Sequence, residues 1–140
     1  MAMTFDIRIS GLDKVIQTIS QIHPKLVGKI ATTHEDVGLR VQTDARRASP
    51  FDKGDLERSI DWRAGADWTK IFVATNSAAG QYAEFIHDGK YNLGFRSLTK
   101  MAGMAVGPKY IERAIKVNRT WILDRFAKAT GEVVRDVEGS

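Results

Sequence analysis

The chain has 140 residues, 43% apolar and 27% charged, with a formal net charge of +4 and a pI near 9.5. That length suits a single domain burying roughly two-thirds of the surface its unfolded chain exposes, and the absence of cysteine excludes disulfide frameworks and thiolate metal sites. Mild basicity permits contact with nucleic acid or an acidic surface, but 21 Lys+Arg against 17 Asp+Glu is mixed charge, for which a solvated surface is the simpler reading.

The opening stretch "MAMTFDIRIS" has no apolar core long enough for a signal peptide, and no run approaches the ~20 apolar residues of a membrane span. In residues 4–9, Phe5, Ile7 and Ile9 alternate with Asp6 and Arg8, the period of a half-buried strand. Ser10-Gly11 stops it, and Leu12, Val15, Ile16 and Ile19 follow at helical spacing over 11–22. Pro24 suits the first turn of a new helix. Leu26, Ile30, Val37, Val41, Ala45 and Ala48 then share one stripe, giving a long helix over 25–48 that Pro50 ends.

The connector "SPFDKGD" turns the chain, and Leu56 and Ile60 re-enter the core. Residues 59–75 read as a hairpin: Ile60, Trp62 and Ala64 alternate with polar residues, Gly65-Ala66-Asp67 turns, and "WTKIFVAT" returns as a second strand. A short helix is expected over 80–87, with Tyr82, Phe85 and Ile86 on one face. Residues 88–107 hold four glycines and no period, a loop length uncommon in a compact domain unless it is functional. From Gly107-Pro108 a last helix carries Tyr110, Ile111, Ala114, Ile115, Trp121, Ile122, Phe126 and Ala129, with Gly131 as a candidate end, after which the tail within 131–140 either continues as helix or frays. The expected fold is a single α+β domain over 1–140, a small, mainly antiparallel sheet packed against long helices.

Chemistry is sparse. His23, His34 and His87 are widely separated, and the residue four after His34 is Gly38, where a zinc helix needs a second histidine. Neighbouring His34, Glu35 and Asp36 point different ways on a helix. "DKGD" and "MAGMAVGPK" lack phosphate-loop spacing, Glu84 and Asp88 read as a solvated acidic edge, and no serine sits in a nucleophile elbow. No catalytic, cofactor or metal residues are assigned, and an enzyme is not expected. The aromatic residues carry more information. Trp62, Phe85 and Trp121 lie on apolar stripes and read as core, whereas Trp68 and Phe72, the latter opposite Ile71 and Val73, read as interface residues.

Three stretches in a fixed order carry a resemblance: "SPFDKGDLERSI" at 49–60, "QYAEFIHDG" at 81–89 and "PKYIERA" at 108–114, preceded by "ISGLDKVIQTI" at 9–19. The chain resembles the HK97 gp10-like family of tailed-bacteriophage tail-completion, neck or head–tail joining proteins over about residues 7–125. His87-Asp88 stands where the family more often has glutamate, and Lys90 where it has threonine.

The resemblance implies a structural virion protein assembled in the bacterial cytoplasm. Copies would form a homo-oligomeric ring, a hexamer or a multiple of it, around the DNA channel, bound to connector and tail proteins and to no membrane. Subunit contacts would fall on the hairpin, through Trp68 and Phe72, and on the loop, through Tyr91, Phe95, Met101 and Met104. Transient DNA or ring contacts would fall on Arg46, Arg47, Lys53, Arg58 and Arg63, for which solvation is the simpler role. A tail terminator proper is an alternative within the same resemblance. From a different class, the alternative is a small basic nucleic-acid-binding module.

Overall fold

The computed structural model describes residues 3–9, 24–50, 54–73, 83–89 and 106–138. Its elements are β1 (Met3–Ile7), α1 (Pro24–Ala48), α2 (Asp55–Ser59), β2 (Ile60–Ala64), β3 (Thr69–Val73), α3 (Ala83–Asp88), α4 (Tyr110–Val117) and α5 (Arg119–Glu138). This is an α+β domain in which an antiparallel three-stranded sheet, in the order β1-β3-β2, packs against α1 and the C-terminal helices. The helix expected over 11–22 and most of the loop 88–107 lie outside the described residues.

The 25-residue helix α1 is the spine. Leu26, Ile30, Thr33, His34, Val37, Gly38, Val41, Gln42, Ala45 and Ala48 are buried along it, a stripe wide enough to hold the sheet on one flank and α4 and α5 on the other. Pro50 cannot continue the helix. Ser49 instead donates its hydroxyl to the Arg46 carbonyl at 2.8 Å, and the Gly107 N–H donates to the Ala48 carbonyl at 3.0 Å, so the helix end is satisfied from within the fold.

The hairpin forms as the alternation requires. Ile60 pairs with Val73, Trp62 with Ile71 and Ala64 with Thr69; β1 adds Met3, Phe5 and Ile7 opposite Val73, Ile71 and Thr69. That face turns to α1, with Ile60, Ile71, Val73 and Thr69 fully buried. The Gly65 N–H closes the turn onto the Trp68 carbonyl at 2.9 Å.

Helix and sheet meet most tightly at one point. A Cβ placed on Gly38 would fall 2.4 Å from Trp62 Cε3, so only glycine admits the indole at that distance.

Three details differ from the sequence reading. The connector contains a one-turn helix, α2, entered through Gly54 at φ 82°. The last helix is two, separated at Asn118. Gly131 does not end α5, which continues to Glu138. A mid-helix glycine costs only about 1 kcal/mol relative to alanine, and Gly131 does not adopt the left-handed φ seen at Gly54 and Gly107 that a glycine stop requires.

Replacing Gly38 with alanine weighs a propensity gain of up to ~1 kcal/mol against overpacking that typically costs ~1–3 kcal/mol. The contact to a ring atom, rather than to a flexible chain end, lets overpacking win. Gly38→Ala is expected to lower the urea midpoint, whereas alanine at Gly28, which meets nothing within 4 Å, is expected to raise it.

Candidate functional site

The sequence stretches that carry the resemblance converge. The Lys109 N–H donates to the His87 carbonyl at 2.7 Å, Lys109 Nζ reaches Asp88 Oδ1 at 2.6 Å, and the Tyr110 hydroxyl donates to the Ala83 carbonyl at 2.9 Å. Arg113 links the same region to the end of α1, donating to the carbonyls of Pro108 at 2.8 Å and Ala48 at 3.5 Å. Segments 83–89 and 107–114 therefore meet beside the point where α1 gives way to the connector.

His87 is buried at the centre of this junction, with ring centroids 5.1 Å from Phe5 and 4.8 Å from Tyr110. The Glu112 N–H approaches its Nε2 at 3.4 Å, which requires a lone pair there, so Nδ1 carries the proton donated to Asp88 Oδ1 at 2.9 Å. The hydrogen bonds from Lys109 and then His87 hold the Asp88 carboxyl below its ordinary value, and Asp88 in turn raises Lys109. Lys109 sits at φ 59°, the one non-glycine residue with positive φ among the described residues. That conformation costs roughly 1–2 kcal/mol and is held by the contacts on both sides of it. The cluster joins chain segments 83–89 and 107–114.

His34 is a second buried imidazole, between sheet and α5. The Thr69 hydroxyl donates to the His34 carbonyl at 3.0 Å, so its oxygen accepts the Nδ1 proton at 2.6 Å. Nε2 has no partner among the described residues and lies in an apolar setting, with Phe126 edge-on at 4.7 Å. Burial lowers its pKa from 6.5 to about 4, opposed by Asp67 and assisted by Arg8. Glu35 is exposed and Asp36 pairs with Arg125 at 2.7 Å, so the His-Glu-Asp run diverges. No cluster of metal-ligand type occurs among the described residues, and no described helix is long and apolar enough to cross a membrane.

Of the five basic residues, the four described ones have different partners. Arg46 is turned inward, donating to the Ile60 carbonyl at 2.9 and 3.2 Å and to that of Arg58 at 3.5 Å. Arg58 pairs with Asp55 at 2.7 Å. Arg47 lies 3.6 Å from Asp44 on the far side of α1, and Arg63 stands 5.5 Å from the Phe72 ring on the outer face of the sheet. Lys53 is outside the described residues.

Of the aromatic candidates, Phe72 is 4% exposed, not the open ring that its place opposite Ile71 suggested; the Arg63 guanidinium lies over it. Trp68 is half-buried because its indole folds back on the turn, where a Cβ on Gly65 would fall 2.3 Å from Trp68 Nε1. Tyr91, Phe95, Met101 and Met104 lie outside the described residues. Trp121, expected in the core, is only partly buried and packs at its margin, with Arg40 4.8 Å and Arg125 5.8 Å from its ring. It lines a cleft of about 500 Å³ between α1 and α5, with Asp36, Leu39, Arg47 and Arg125 among its walls.

Asn118 stands at the helix break. Its amide donates to Asp44 Oδ2 at 2.7 Å and to the Ala114 carbonyl at 2.8 Å, while its oxygen accepts from Arg40 Nε at 3.0 Å. One buried side chain thus caps α4 and ties it to α1. Nothing in the periodicity marks this residue; a polar residue at a core position of the stripe was the available signal.

Compared with protein-family models, curated proteins and solved structures, the chain matches none.

Asn118→Ala strips partners from Asp44, Arg40 and a helix carbonyl, and is expected to destabilise the fold by about 1–3 kcal/mol in urea unfolding. For His34, the folded pKa lies below the unfolded value, so its contribution is fully present above 6.5 and lost as pH falls towards about 4. At ~1.4 kcal/mol per unit the loss reaches about 3 kcal/mol. His34→Gln is expected to remove that part of the pH dependence between pH 7 and 4, measured as unfolding free energy against pH.

Proposed function

We propose that this chain is a structural virion protein of a tailed bacteriophage, a ring-forming neck or tail-completion component that joins the head connector to the tail around the DNA channel. What supports the reading is that the three stretches resembling the junction family, 49–60, 81–89 and 108–114, occur in the family's order and that the described parts of the last two are joined by hydrogen bonds. In this reading they are one structural unit: a pinned base from which the segment between Gly89 and Val106 leaves and returns. The carbonyl of His87 and the N–H of Lys109, 2.7 Å apart, close that base.

The mechanism is surface complementarity. Identical copies joined through two different surfaces close into a ring when the rotation between them divides a full turn. The hairpin contributes Trp68 to such a contact, and the loop 88–107 reaches along the tail axis. The arginines around the end of α1 serve mainly to hold backbone carbonyls and carboxylates of their own chain, which weighs against the nucleic-acid module.

Light scattering combined with electron micrographs of the purified protein tests the proposal. Closed rings, or a monomer that joins rings once tail proteins are added, are the expected result; a monomer that ignores tails and binds DNA in a salt-dependent way overturns it. Deleting residues 93–104 is expected to abolish infectious tails, and Trp68→Ala is expected to weaken ring formation.

A further inference from the structure

Arg40 is held in place twice. Its Nε donates to Asn118 Oδ1 at 3.0 Å, and its guanidinium stands 4.8 Å from the centre of the Trp121 ring. Neither contact uses the two terminal nitrogens, for which no hydrogen bond occurs among the described residues, and the approach to Asp44 is long, 4.0 Å through Nε. A guanidinium fixed through Nε and its ring contact keeps a parallel pair of N–H donors, the geometry that matches a carboxylate. Because both holding contacts lie within the chain, those donors are oriented before anything binds.

Around Arg40 the cleft between α1 and α5 offers a second cation and an apolar shelf. The Arg47 side chain is more than half exposed and lies 3.6 Å from Asp44, while Arg125 is engaged by Asp36 at 2.7 Å. Asp44 already accepts the Asn118 amide at 2.7 Å, so one occupied carboxylate answers two guanidinium groups. Leu39, 57% exposed, and Trp121 supply the apolar part of the lining. The complement of this surface is a carboxylate beside an apolar side chain, and about 500 Å³ holds a few side chains of an extended segment. A nucleic-acid strand fits these walls less well. Asp36 and Asp44 stand among the arginines, whereas a phosphate backbone gains its affinity from cations that no acid offsets.

We propose that the Arg40–Arg47–Trp121 cleft is a docking site for an acidic peptide segment of another protein. A glutamate or aspartate of that segment meets Arg40 and Arg47, and a neighbouring aliphatic side chain covers Leu39 and Trp121. Tryptophan and arginine are the residues that most often carry the binding energy of an interface. The inference deepens the junction reading and rests on it only for the kind of partner, another virion protein; the cleft itself belongs to a single chain. In a ring each copy presents one such cleft, and a partner that engages several at once gains by effective concentration what one small site lacks.

The test uses the full chain and fluorescence anisotropy at moderate salt. The probes are a labelled peptide with glutamates flanking a central leucine, the same peptide with glutamines in their place, and a labelled DNA oligonucleotide. Saturable sub-millimolar binding of the glutamate peptide is expected, with a loss of at least about tenfold for the glutamine peptide, for Arg47→Glu and for Leu39→Glu. Lys25→Glu, a charge reversal on the exposed start of α1, is expected to leave the affinity unchanged. Circular-dichroism melts accompany every variant; both cleft changes fall on residues more than half exposed, and should one melt early the other decides. No saturable binding, equal binding of the glutamine peptide, an equal loss in Lys25→Glu or a preference for the DNA overturns the docking site. Light scattering of the same samples reports ring formation separately. Rings without peptide binding overturn the cleft and leave the junction reading standing, whereas peptide binding by a chain that never forms rings upholds the cleft and counts against the ring.

Discussion

The close approach of the Trp62 indole to the backbone of α1 at Gly38 sets the distance between helix and sheet, and most of the fold follows from that spacing. With the helix this near, Ile60, Ile71 and Val73 on the sheet reach the Val37 and Val41 flank without leaving a void. The same proximity brings His34 onto Thr69, putting a polar pair inside an apolar contact. The opposite flank of α1 is then left to α4 and α5, and Asn118 divides those helices so that both lie along it. A bulkier residue at position 38 would lift the helix from the sheet and disturb the polar pair with it.

Polar groups in this chain work mostly inward. Arg46 holds the start of β2, Arg113 bridges the end of α1 and the segment before α4, Asp88 and Lys109 pair across two segments, and Asn118 satisfies three partners at once. Each arrangement fixes backbone geometry. Such internal ties define one arrangement of segments that hydrophobic burial alone would leave loosely specified.

Much of this was legible in the sequence where a local pattern governs the outcome. The long helix was readable from a sustained apolar stripe bounded by Pro24 and Pro50, the hairpin from alternation around Gly65, and the α+β class from their order. What was not legible depends on contacts distant in sequence. The apolar stripe resumes after Asn118, and its polar side chain is the one local sign of the break; its partners Asp44 and Arg40, contributed by α1, are not visible in the pattern. Trp121 sits on the edge of the same stripe, and periodicity alone cannot tell the edge of a buried face from its centre. Phe72 follows the alternation correctly onto the outer face of the sheet, yet it is buried there beneath Arg63, which a period of two cannot express. The described basic residues clustered in sequence, Arg46, Arg47, Arg58 and Arg63, take different partners because the end of α1, α2 and β2 carry them in different directions.

The strand order also bears on how the chain acquires its structure. β2 and β3 are neighbours in sequence and can pair through a short loop, whereas β1 must return from the far end of the chain to reach β3. Closing a short loop is entropically easy and fast, and non-local pairing is slow. The hairpin with α1 therefore precedes β1 along the folding route, and until β1 arrives the edge of β3 exposes unpaired backbone N–H and C=O groups. An open edge of that kind accepts any extended segment. At high cellular expression the interval before β1 docks is the stage at which chains are most prone to aggregate.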